Sequence, residues 1–258
     1  MRAVSVLSAT ALGMVLVLGS GAAWAGGDGD SESSGAVMFG VGALGALGGN
    51  FLDKPDDTHP KYQGVSIGLE TYPGFGGMSG GGGLMLEGRF IGLLGLEVDV
   101  LRSSDHGHGD LTINGTKFTM TIGQSATHVP VLAKLVAPLP VVRPMVFVGP
   151  EFVFPSSAEG KVDPVVVGFP QITAKADSYT MVSFGLGMEF VLPVPSIDLR
   201  IPFTLRGGYN PSAGDTLDDR ATHTITPAGA NVVRIDKIEY KSEWRYQTYA
   251  TLGVAAYF

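Results

Sequence analysis

From Trp244 to the C-terminus the chain alternates with a period of two over fifteen residues. The even positions are Trp244, Tyr246, Thr248, Ala250, Leu252, Val254, Ala256 and Phe258. The odd positions are Glu243, Arg245, Gln247, Tyr249, Thr251, Gly253, Ala255 and Tyr257. Successive side chains of a strand point to opposite faces, so one face here is apolar and the other polar or small. Strands of soluble sheets usually run to about five or six residues. A strand this long, apolar on one side throughout, suits a wall between lipid and a polar lumen.

The same phase recurs upstream. Leu84, Leu86 and Phe90 alternate with Met85, Glu87 and Arg89; Leu94, Leu96, Val98 and Val100 alternate with Gly95, Glu97, Asp99 and Leu101. Val129, Val131, Ala133 and Leu135 oppose His128, Pro130, Leu132 and Lys134, and Val146, Val148, Phe152 and Phe154 oppose Met145, Phe147, Gly149 and Glu151. Val182 to Phe190 oppose Ser183 to Glu189, and Ile197 to Leu205 oppose Asp198 to Arg206. Val37–Gly48, rich in Gly and Ala, is the first strand. Short turns are expected at Ile91–Leu93, Pro138–Val142 and Leu192–Ser196, and long polar loops at Gly49–Gly80, Ser103–Lys117, Ser156–Asp177 and Asn210–Ser242. Alternation of short and long connections predicts an all-β, antiparallel up-and-down transmembrane barrel of about eight strands, or about ten if Gln63–Thr71 also crosses. Asn114-Gly115 between two β-prone triplets predicts that the second loop projects as a hairpin.

The N-terminus lies outside that barrel. Arg2, the apolar run Val4–Val17 and the Ala23-Trp24-Ala25 site have the form of a signal peptide, predicting residues 1–25 as signal, 26–35 as a flexible acidic lead-in and 36–258 as the barrel. Losing Arg2 takes the formal charge from −7 to −8, which disfavours a nucleic-acid partner. Without cysteine, lipoprotein anchoring, disulfides and thiolate metal sites are excluded. The chain is 45% hydrophobic and only 16% charged, yet its most apolar mature segment, Val129–Val142, is broken by Lys134 and three prolines. Apolar residues dispersed at period two account for that composition where a transmembrane helix does not.

Thr251, Gly253, Ala256, Tyr257 and Phe258 look like the C-terminal signal read by the bacterial barrel-assembly machinery. Thr251 is smaller, and Ala256 less bulky, than that signal usually has. His128-Val-Pro-Val-Leu-Ala-Lys134, with Arg143-Pro144 and Gly149-Pro150, is similar to a central hairpin of one barrel family. Together they resemble the small Gram-negative outer-membrane barrels of OmpA/OmpX-like type. The resemblance implies export to the outer membrane and contact with its lipids and lipopolysaccharide. It also implies handling by the assembly machinery, with no cofactor. That family spans structural, adhesive, defensive and uncharacterised members, and some small barrels are enzymes, so fold alone does not settle function.

Three groups of residues carry candidate chemistry. Asp105-His106-Gly107-His108-Gly109-Asp110 has metal-ligating side chains, but a solvated Gly-rich loop explains it more simply, and no metal site is assigned. Ser103, Ser104 and Asp105 near His106 and His108 supply the residue types of a hydrolase, but the His-x-Ser motif of lipid A deacylases is missing, and no catalytic residue is assigned. Glu87, Arg89, Glu97, Asp99, Glu189, Asp198, Arg200, Arg206 and Arg245, with Lys134 and Glu151, share the lumen phase. An eight-strand barrel has room only for its side chains, so these charges are expected to pair as a plug. The sequence therefore predicts a non-enzymatic barrel with a structural envelope role, or one that displays loops to a surface partner. The alternatives are a narrow solute channel and a lipid-modifying enzyme.

Overall fold

A computed structural model describes residues 37–53, 61–62, 65–66, 74–113, 116–163, 171–213, 237–241 and 243–258. The segments expected as signal peptide and lead-in, Asn114-Gly115 and most of the fourth loop, including Asp215, Asp218, Asp219, Arg220 and Arg234, lie outside them.

Eight strands close into one ring. They are β1 (Val37–Leu52), β2 (Phe75–Phe90), β3 (Leu94–Ile113), β4 (Thr116–Val136), β5 (Val142–Asp163), β6 (Tyr179–Leu192), β7 (Asp198–Tyr209) and β8 (Tyr246–Tyr257). Each pairs antiparallel with its sequence neighbours, and β1 closes on β8 from Gly40↔Tyr257 to Phe51↔Tyr246. The eight-strand count is therefore the correct one. Lys61–Tyr62 and Val65–Ser66 pair with each other, and the rest of Gln63–Thr71 lies outside the described residues. Gln171–Lys175 and Lys237–Lys241 form a separate parallel pair.

The phase read from the sequence holds around the ring. Leu84, Leu96, Leu186 and Leu252 are 56–59% exposed, whereas Arg89, Glu189 and Arg200 are 0% exposed. A water-soluble domain would bury the leucines and solvate the charges. This inversion requires an apolar medium around the barrel. No helix among the described residues is long and apolar enough to span a membrane.

Three of the four expected long loops are shorter, because the strands continue into them. β3 and β4 stay paired up to Ile113↔Thr116, so Ser103–Lys117 is strand almost throughout and the second loop projects as a hairpin. β5 runs on to Asp163, and β1 and β2 extend to Leu52 and from Phe75. The polar outward residues of these extensions report water outside the wall; they say nothing against backbone pairing. At the opposite end the β2–β3 turn places Ile91 and Gly92 at φ 45° and 68°, with Leu93 N–H donating to the Phe90 carbonyl at 3.1 Å. Glycine supplies one of these left-handed positions at no steric cost. On β2, a Cβ on Gly83 or Gly81 would lie 1.9 and 2.3 Å from β3 carbonyl oxygens, so the wall turns there only because both are glycine.

Candidate functional site

The interior is built in three tiers from side chains on the lumen phase. In the lowest, Arg89 Nε and Nη2 donate to Glu87 Oε1 at 2.8 and 2.6 Å. Arg89 Nη1 donates to Glu189 Oε2 at 2.8 Å, joining β2 to β6 across the lumen. Lys134 of β4 donates to Glu97 at 2.7 Å and to Glu87 at 3.0 Å. Arg200 donates to Glu189 at 3.3 Å and to Asp198 at 2.9 Å. Arg206 donates to Asp99 at 2.8 Å. Each ion but the partly exposed Asp198 is buried, and each is offset by an opposite charge, the condition on which buried ions persist.

Tyr257 completes this tier. Its hydroxyl donates to Glu87 at 2.7 Å, and the Arg200 guanidinium lies 3.9 Å from its ring centroid. Arg245 does not belong there. It precedes β8, where the backbone has left the strand phase, and meets Asp53 at 3.1 Å at the rim.

The middle tier has an arrangement that residue order along the chain conceals. His128 Nε2 lies 2.9 Å from Ser103 Oγ, and His128 Nδ1 lies 2.6 Å from Glu151 Oε1. Ser183 donates to the other Glu151 oxygen, and Ser79 donates to Asp105 Oδ1 at 2.5 Å. Serine, imidazole and carboxylate in this order match a nucleophile, base and orienting group. Two features set the cluster apart from a working site. Asp105 Oδ2 also faces His128 Nε2, at 3.8 Å. The cavity bordered by Ser103, His128, Glu151 and Arg206 measures about 10 Å³, room for roughly one water. A third tier of buried side chains, Phe75, Phe118, Met120, Ile122 and Trp244, lies beyond it.

The proposed ligand run of the second loop is divided by the pleat. Asp105 points inward, while His106, His108 and Asp110 point outward. His108 Nδ1 meets Thr121 Oγ1 at 3.1 Å, and Asp110 pairs with Lys117 at 2.8 Å. The Lys117 ammonium holds the Asp110 carboxyl below its usual range. The histidines near Ser103 in sequence are thus on the wrong face for it, and the histidine that meets it comes from β4.

Of the terminal residues, Thr251 points inward and meets Thr204 at 2.5 Å, Gly253 packs under Leu44, and Phe258 stands 74% exposed. Phe39, Phe90 and Phe190 are also outward at the end of the barrel that carries the short turns. At the other end Tyr209 and Tyr246 stack, with centroids 5.4 Å apart. Trp244, which parity puts on the apolar face with Tyr246, is fully buried instead, because Glu243–Arg245 precede the strand and its parity does not extend to them.

No protein-family profile and no curated protein sequence matches the chain. Among solved structures it is similar to the outer membrane protein OprG from Pseudomonas aeruginosa, at 12% identity and a TM-score of 0.39, covering 86% of this chain and 96% of that one. The N-terminal β-barrel domain of Pseudomonas aeruginosa OprF matches at 12% identity and a TM-score of 0.35, over 84% and 97% of the two chains. The Yersinia pestis attachment invasion locus protein Ail matches at 13% identity and a TM-score of 0.32, over 85% and 98%. At these identities the likeness is one of fold. The barrel described above rests on the chain's own strand pairing.

Proposed function

We infer that this protein is a closed, non-enzymatic outer-membrane barrel that serves the envelope structurally and displays its β3–β5 extension to the outside. The observation that carries this reading is the filled interior. Among the described residues, charge pairs fill the lower lumen and buried apolar side chains the upper one, which argues against passage of a solute or entry of a lipid substrate. The exposed leucines and the signal-like N-terminus support insertion into a membrane beyond the inner one. The outward polar residues Ser104, His106, His108, Asp110 and Lys117 support a role in contact rather than in transport.

Planar-bilayer recording tests the reading. The folded protein is expected to show no steady conductance, because opening the lumen means separating Arg89, Lys134 and Arg200 from their carboxylates. Stable openings, altered in size by Arg200→Gln, would replace this reading with a channel.

A further inference from the structure

Arg102 is an outward-facing cation where the wall changes from apolar to polar. On β3 it follows Val100, the last of the outward apolar residues Leu94, Leu96, Val98 and Val100. Its row across the sheet runs Gly82↔Arg102↔Thr127↔Phe154, and Phe154 is 49% exposed. Arg102 Nη1 donates to Thr127 Oγ1 at 3.1 Å, and Nη2 donates to Ser156 Oγ, whose own hydroxyl is fixed on the Ser125 carbonyl at 3.2 Å. Two adjacent strands thus hold one guanidinium flat against the outer wall.

Among the described residues no carboxylate pairs with it. By contrast, outward Lys117 has Asp110 at 2.8 Å, Lys161 has Glu159 at 3.0 Å and Lys175 has Asp177 at 3.0 Å. Arg102 has only hydroxyls, which orient it without neutralising it. A cation bordering hydrocarbon is unfavourable unless the surroundings supply the anion. On its β2 side the wall is bare. Its partner there is Gly82 and the next outward residue is Gly80, neither of which has a side chain to cover the guanidinium.

We propose that Arg102, oriented by Thr127 and Ser156, binds a phosphate of the phosphorylated glycolipid of the outer leaflet, whose chains lie along the glycine wall of β2. The planar guanidinium suits bidentate phosphate binding, and its position puts the phosphate at the apolar–polar boundary where lipid headgroups lie. This assignment rests on the outer-membrane reading above.

The test uses the folded full-length protein in zwitterionic micelles, titrated with bis-phosphorylated and with dephosphorylated lipid A and read by native mass spectrometry. The wild type is expected to bind the phosphorylated form about tenfold more tightly, the scale of one charged hydrogen-bonded contact. Arg102→Gln should abolish that preference and Lys161→Gln should keep it. Thr127→Val with Ser156→Ala leaves the charge in place and should reduce the preference, which covers the case in which Arg102→Gln fails to fold. A wild type without preference, an Arg102→Gln protein that retains it, or displacement of the lipid by inorganic phosphate alone would each overturn the proposal. Membrane fractionation separates the two failures. Protein that fractionates with the outer membrane but lacks the preference refutes this site only; protein absent from that fraction refutes the outer-membrane reading itself.

Discussion

Glu189 receives Arg89 and Arg200 and lies 3.8 Å from Lys134, all four buried in the lumen. Glu189→Gln keeps the shape but leaves three cations short of an anion, and breaking a buried pair in this way costs about 3–5 kcal/mol. Urea unfolding in lipid vesicles should show that loss as a lowered midpoint. Glu159→Gln, at an exposed pair, should change stability by about 0–1 kcal/mol. Equal midpoints for the two variants would mean that the interior pairs contribute nothing. Ser103 supports a second expectation at this scale. Its hydroxyl has triad geometry toward His128, but the adjoining cavity admits nothing larger than about one water. A fluorophosphonate probe should therefore leave the folded protein unlabelled. Labelling that disappears in Ser103→Ala would make the middle tier catalytic.

The last strand joins the ring's two ends, so its terminal residue matters in a way that a fraying terminus does not. Phe258 N–H donates to the Phe39 carbonyl at 2.9 Å, and Phe39 N–H donates to the Phe258 carbonyl at 3.1 Å. Just before it, Tyr257 directs its hydroxyl into the charged lumen. Deleting Phe258 removes one bonded pair at the seam and an aromatic ring from the membrane boundary. The terminal residues that resemble an assembly signal point to the same consequence. Outer-membrane yield should fall and protease-sensitive chain should accumulate in the periplasm, while His106→Ala should leave yield unchanged. Normal yield after the deletion would refute both the seam argument and the signal reading.

Closure of the whole ring pairs the backbone of every barrel strand on both sides and leaves no edge from which unfolding can begin. The protein should consequently resist dodecyl sulfate at room temperature and unfold only on boiling, giving two gel positions. The unboiled species should show β-type circular dichroism in detergent. A single position with and without boiling, for material extracted from membranes, would exclude the closed barrel as the form present there.

Much of this molecule is legible without coordinates, because a membrane wall imposes a simple rule on its strands. Lipid lies on one side and the lumen on the other, so parity alone assigns Leu252 outward and Glu87, Arg89 and Glu189 inward. Parity works only where the strand is regular, and it fails at Trp244 and Arg245, which precede β8 and turn to suit the cap and the rim. The extent of β3, β4 and β5 also escaped the pattern, since polar residues outside a paired wall look like those of a loop. The partners of the interior groups were decided by the tertiary structure alone. Ser103, His128 and Glu151 are 25 and 23 residues apart, and strand register makes them neighbours. His106, only three positions from Ser103, faces the other side of the wall. A period of two specifies the side of the sheet from local sequence, but which residue lies opposite is set by pairing between strands, which no local pattern encodes.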